Sequence, residues 1–183
     1  MTESNWELPK VTADFLNNIS ANDLSVLIKY TEPNNRFLNY ESKGLNGWGF
    51  GDVMNLNNND LLSASKELLN KEFGVTEKDI LKSNSKDYVS FLSFVRKQFE
   101  NASKLMDTLG SDSIKDDDAK ELDKYGIIGL YYSIDKNPLS WDSIAKLPFI
   151  VIFTKLSIDN TVAKIEKKRQ KNELDRINRQ NKR

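Results

Sequence analysis

The chain has 183 residues, with 27 basic and 27 acidic side chains that leave a formal charge of zero. It contains neither cysteine nor histidine, which removes disulfides, thiolate metal sites, thiol nucleophiles, imidazole bases and the histidine-based zinc motifs. Carboxylate chemistry, hard cations held by Asp and Glu, and Lys or Tyr chemistry stay open.

The N-terminal Met1-Thr2-Glu3-Ser4-Asn5-Trp6-Glu7 is acidic and polar, unlike a secretory leader. It reads as an irregular lead-in that ends at Pro9. Thr12 is expected to cap a short helix carrying Phe15, Leu16 and Ile19. Asn22 is expected to cap a second, with Leu24, Leu27 and Ile28 on one face and Pro33-Asn34-Asn35 as its stop. Gly44, Gly47, Gly49 and Gly51 then alternate with Trp48 and Phe50, ahead of Val53, Met54 and Leu56. Residues 33–58, which hold this run, are expected to form a small β-hairpin or a packed loop, with any β structure near 36–56. The run is not a dinucleotide loop, because the third glycine of that motif would fall on Asp52.

Asn59 is expected to cap a helix running through Leu61, Leu62, Leu68, Leu69 and Phe73, with Gly74 at the left-handed position after its end. Thr76-Glu77-Lys78-Asp79 suggests another cap, for a short helix with Ile80 and Leu81. The clearest periodicity lies in Ser85 to Leu109, where Tyr88, Leu92, Val95, Phe99, Ala102, Met106 and Leu109 alternate at spacings of four and three. A helix of that length with one apolar side needs a partner along it, so it should organise the core.

Asp112, Asp116, Asp117, Asp118, Glu121 and Asp123 form an acidic run that lacks the ligand spacing and central glycine of a calcium loop. Solvated charge explains it best. Tyr125 to Tyr132 reads as a buried helix rather than a strand. Asn137-Pro138 marks a turn, Ser140 is expected to cap Trp141-Asp142-Ser143-Ile144, and Pro148 should sit in the first turn of the next helix. Leu147 to Phe153 is far shorter than the ~20 residues of a membrane span, so it reads as core and no membrane association is expected. Phe149, Phe153 and Leu156 share a face, Ile158, Val162 and Ile165 extend the apolar spacing, and a break is expected at Asp159-Asn160. From Lys164 to Arg183 there are nine Lys or Arg and three Asp or Glu, a local charge of +6 that the other residues balance.

The fold expected is therefore mainly α. It has a compact helical domain over residues 1–163 with a long central helix, a Gly/aromatic loop or small β-hairpin, and a charged helical C-terminal extension over 164–183. The helices at 59–73 and 148–163 should pack the central one. Trp48, Phe50, Tyr131, Tyr132 and Trp141 are candidate anchors for a protein partner, because interfaces favour Trp and Tyr. All five could equally be core. Lys167, Lys168, Arg169, Lys171 and Arg176 would add electrostatic steering. No cofactor, metal site or catalytic residue is assigned.

Leu130-Tyr131-Tyr132, then Ser140-Trp141-Asp142-Ser143-Ile144-Ala145-Lys146-Leu147-Pro148-Phe149, then the charged tail, resembles the organisation of tail assembly chaperones of tailed bacteriophages. The resemblance covers residues 125–183 and leaves out the glycine-rich segment. It implies a non-enzymatic assembly protein that binds a tape-measure or other virion protein in the host cytoplasm. Two other readings stay open: a nucleic-acid-binding accessory protein using the basic tail, and a carboxylate or Mg²⁺ enzyme with nothing in the sequence to favour it. The tail could also meet the acidic 112–123 run of another copy and so build a homo-oligomer.

Overall fold

The computed structural model describes residues 10–12, 15, 18–56, 60–110 and 124–180. The acidic run at 112–123 and the predicted cap Asn59 lie outside them. The described chain is mainly helical, as its periodicities require. In order it forms α1 (Ala21–Lys29), β1 (Arg36–Phe37), β2 (Tyr40–Glu41), a 3-10 turn (Gly44–Asn46), α2 (Phe50–Leu56), α3 (Leu61–Phe73), α4 (Glu77–Ile80) and α5 (Ser85–Gly110). After the gap come α6 (Ile127–Ile134), a 3-10 turn (Pro138–Ser140), α7 (Trp141–Lys146) and α8 (Phe149–Gln180).

The central rod is α5, where it was expected. Tyr88, Phe91, Leu92 and Val95 are fully buried on it, and Ala102 nearly so. α1, β1, α3 and α8 all pack against it. Phe37 from β1 tilts against both Tyr88 and Phe91, with ring centroids 5.5 and 5.8 Å apart. Ser93, also buried, donates its hydroxyl to the Thr31 carbonyl at 2.9 Å. That contact satisfies an acceptor just beyond the end of α1, where the helix leaves carbonyls unpaired.

Local capping chemistry accounts for most boundaries, with two corrections. Thr12 accepts from the Phe15 amide at 3.1 Å, as predicted. α1, however, is capped by Ser20 and not Asn22. The Ser20 hydroxyl accepts from the Asp23 amide at 3.1 Å and donates to the Asp23 carboxylate at 2.7 Å. α3 is capped by Asp60, whose carboxylate accepts from the Leu62 amide at 2.8 Å. The cap thus falls one position after the predicted Asn59. Gly74 closes α3 at φ 69°, a left-handed conformation that a residue without Cβ adopts at least cost. Thr76 and Asp79 form a reciprocal capping box for α4.

The small hairpin falls at the start of the 36–56 stretch where β structure is expected, ahead of the glycines, with Phe37 opposite Tyr40 and Arg36 opposite Glu41. Its two-residue turn places Leu38 at φ 53°, a value that favours glycine. Of the glycines, Gly44 opens the 3-10 turn, Gly49 pairs with Pro148 in an isolated antiparallel bridge and Gly51 lies in the first turn of α2. The break expected at Asp159-Asn160 is absent: α8 is continuous over 32 residues, about 48 Å. Asn160 lies beside the end of α5, with its amide donating to the Leu109 carbonyl at 3.4 Å. Ser140 occupies the cap position of α7 but makes no capping bond, since its hydroxyl donates to Asp135 instead.

Candidate interaction surface

The five aromatic candidates divide between core and surface. Trp48 is 3% exposed and Phe50 fully buried, so neither reaches a partner. The indole N–H of Trp48 donates to the Glu72 carboxylate at 2.9 Å and to the Ser42 hydroxyl at 3.1 Å. Its ring meets Phe94 edge-on and lies 6.0 Å from Phe99. The Phe50 amide donates to the Leu147 carbonyl at 2.7 Å, and the Phe149 amide donates to the Trp48 carbonyl at 2.9 Å. These two bonds clip the glycine-rich segment against the start of α8. The close approach explains a glycine: a Cβ on Gly51 would lie 2.7 Å from the Tyr131 hydroxyl and 2.8 Å from the Ala145 Cβ.

Tyr131 and Trp141 are half-buried. Trp141 stacks on Tyr131 at 6.3 Å, Tyr131 meets Phe50 edge-on, and Phe50 stacks on Phe149, which in turn stacks on Phe153. A ladder of rings thus runs from the outer edge of α7 through the core to the base of α8. The indole of Trp141 donates to the Asp135 carbonyl at 2.9 Å. Burial pushes the Tyr131 phenol up from its usual pKa, and Asp52 and Asp142 push it further. The Asn137 amide and the Ser140 hydroxyl hold the Asp135 carboxyl below the usual range. These bonds fix the ladder's outer end. Tyr132 alone of the five is exposed, on an outer face of α6 shared with Ile128, while Tyr125, also exposed, precedes the helix. Sequence reasoning did not single out Ile128, whose four-residue spacing from Tyr132 is the signal that could have found this face.

The cationic candidates all lie on α8. Every residue from Thr161 to Gln180 is exposed, including Lys167, Lys168, Arg169, Lys171 and Arg176. The first half of the helix is anchored: Phe149 and Ile152 are buried, and Phe153 and Leu156 pack on the core. Ile158, Val162 and Ile165, which continue the apolar spacing, do not share that face and are 58%, 47% and 48% exposed. Ile158 follows Leu156 by two positions, and about 100° of rotation per residue turns it away from the core. α8 therefore leaves the body as a bare helical arm with an apolar seam on its outer side. At the root of the arm, Phe153, Thr154, Ser157, Ile158, Thr161 and Val162 border an open groove of about 390 Å³.

Among the described residues, no three or more Asp or Glu side chains converge as a metal site would require, and no helix is long and apolar enough to cross a membrane. Compared with family models, curated proteins and solved structures, the chain matches none of them.

Proposed function

We propose that this is a non-enzymatic protein-binding protein of the assembly type, with the exposed arm of α8 as its docking element. The observation that carries the reading is the run of twenty exposed helical residues from Thr161 to Gln180. Isolated helices are marginal in water, and tertiary packing supplies most of a helix's stability. Ile158, Val162, Ile165, Leu174 and Ile177 all remain accessible on this helix. A second helix laid against Ile158, Val162 and Ile165, which share one side, would bury them. The resemblance of residues 125–183 to phage tail assembly chaperones suggests the setting, with a tail or other virion protein as partner.

The test uses the full chain and a chain ending at residue 163 as baits in extracts of the native cells, followed by mass spectrometry. A polypeptide retained by the first and lost by the second is the expected result. Equal recovery on both baits would place the contact elsewhere, and Ile128 and Tyr132 on α6 would then become the face to test. The basic arm also suits a second reading, nucleic-acid binding, because Lys164, Lys167, Lys168 and Lys171 share one helical side. Salt-sensitive retardation of duplex or single-stranded DNA by the full chain, absent after truncation, would favour that reading.

A further inference from the structure

We infer that the outer face of α8 receives an acidic amphipathic helix of a partner protein, whose apolar seam covers Ile158, Val162 and Ile165 and whose carboxylates meet the cations beyond them. The inference rests on the protein-binding reading above and adds the partner's chemistry. Two neighbouring rows of side chains follow the arm at alternating spacings of four and three, so each runs nearly straight along the helix surface. The first is Ile158, Val162, Ile165, Arg169, Asn172 and Arg176, apolar over two turns and then cationic. The second is Ser157, Thr161, Lys164, Lys168, Lys171 and Asp175. Both begin at the open groove at the root of the arm and end on exposed charge.

Straight rows at helical spacing present the ridges and grooves that a second helix packs against. An extended strand finds nothing to pair with, since the backbone of a helix interior is already hydrogen-bonded. Charge complementarity selects the acidic partner. The described arm from Lys164 to Gln180 carries seven Lys or Arg against three Asp or Glu.

The arm of a second copy fits poorly. Parallel pairing sets Arg169 and Arg176 against themselves. Antiparallel pairing about Val162 joins only the short apolar seams, far less than the ~800 Å² per partner of a standard interface. A nucleic acid fits less well than an acidic helix, because Glu166, Glu173 and Asp175 interleave with the cations. In addition, no aromatic between Thr154 and Gln180 can stack on a base.

The experiment titrates the full chain into three fluorescent probes read by anisotropy: a Leu/Glu heptad peptide, a Leu/Lys heptad peptide and a short single-stranded DNA. The acidic peptide is expected to bind, and to bind more weakly as salt rises. Two variants should each weaken it by about tenfold or more, since each removes contacts along the whole seam. They are Lys168→Glu/Arg169→Glu/Lys171→Glu and Ile158→Ser/Ile165→Ser, and their folding is checked by circular dichroism. Equal binding of both peptides would overturn the acidic assignment while leaving the protein-binding reading in place. Binding of DNA alone would overturn both, as would binding of none of the three. Acidic-peptide binding unchanged in both variants would remove α8 as its site.

Discussion

Glu72 is half-buried where three donors converge. Its carboxylate accepts from the Ser42 hydroxyl at 2.7 Å, the Trp48 indole at 2.9 Å and the Lys43 amide at 3.0 Å. Truncation to alanine strips two buried donors of an acceptor, and leaving a buried polar group unpaired costs about 1–3 kcal/mol. Glu72→Ala should therefore lower the urea midpoint by a corresponding amount, with Glu72→Gln losing less. Gly51→Ala should destabilise by a similar ~1–3 kcal/mol through overpacking, because its new methyl meets the Tyr131 hydroxyl and Ala145. Tyr131→Phe in the same chain removes one of those obstacles, so the double variant should recover part of the loss. Tyr88 gives the pH prediction. Burial pushes its phenol from 10.0 up to about 12. The folded state thus favours the neutral form, and that stability is intact below pH 10 and lost as pH rises towards 12. At ~1.4 kcal/mol per pKa unit the loss reaches about 2–3 kcal/mol. Denaturation curves across that window should show it, and Tyr88→Phe should flatten the slope.

At the scale of elements, caps and periodicity were readable because they are local. The apolar series of α5 and the Thr76–Asp79 box each depend on residues within a few turns of one another. The Asp60 cap is as local, and Asp60→Ala should cost about 1 kcal/mol in thermal or chemical denaturation. The hairpin was harder to place, because its turn uses Leu38 at φ 53° where sequence patterns lead one to look for glycine or Asn-Gly. The expectation of β structure therefore spanned 36–56, and the four glycines between 44 and 51 fall outside the strands. At Gly49 and Gly51 they serve close approach to Asp52, Ala145 and Tyr131. The partners at 131 and 145 lie about eighty and ninety-five positions downstream, beyond the reach of any local pattern.

For the whole molecule, the body and the arm should separate in their energetics. Residues Thr161–Gln180 are all exposed, so ending the chain at residue 163 should change the stability of the body by no more than about 0.5 kcal/mol. Far-UV circular dichroism should lose helical signal while the thermal midpoint stays in place. A midpoint that falls sharply would mean that the arm folds back on the body. The anchoring of the arm is asymmetric: the ring ladder from Trp141 to Phe153 grips its root, and its far half is exposed from Thr161 to Gln180.

The sequence by itself determined that the chain would be mainly helical, where the long central helix runs, and which imidazole and thiol chemistries are closed to it, since composition and periodicity follow from residue identity alone. It also marked the basic arm, because charge can be counted without coordinates. Only the tertiary structure decided that Trp48 and Phe50 are core, that Tyr132 is surface, and that Ile158, Val162 and Ile165 face outward. Burial depends on which neighbour covers a face, and for Trp48 those neighbours are Glu72, Phe94 and Phe99. An apolar residue at helical spacing satisfies a buried face and a docking face equally well, and the choice between them is made by packing at long sequence separation.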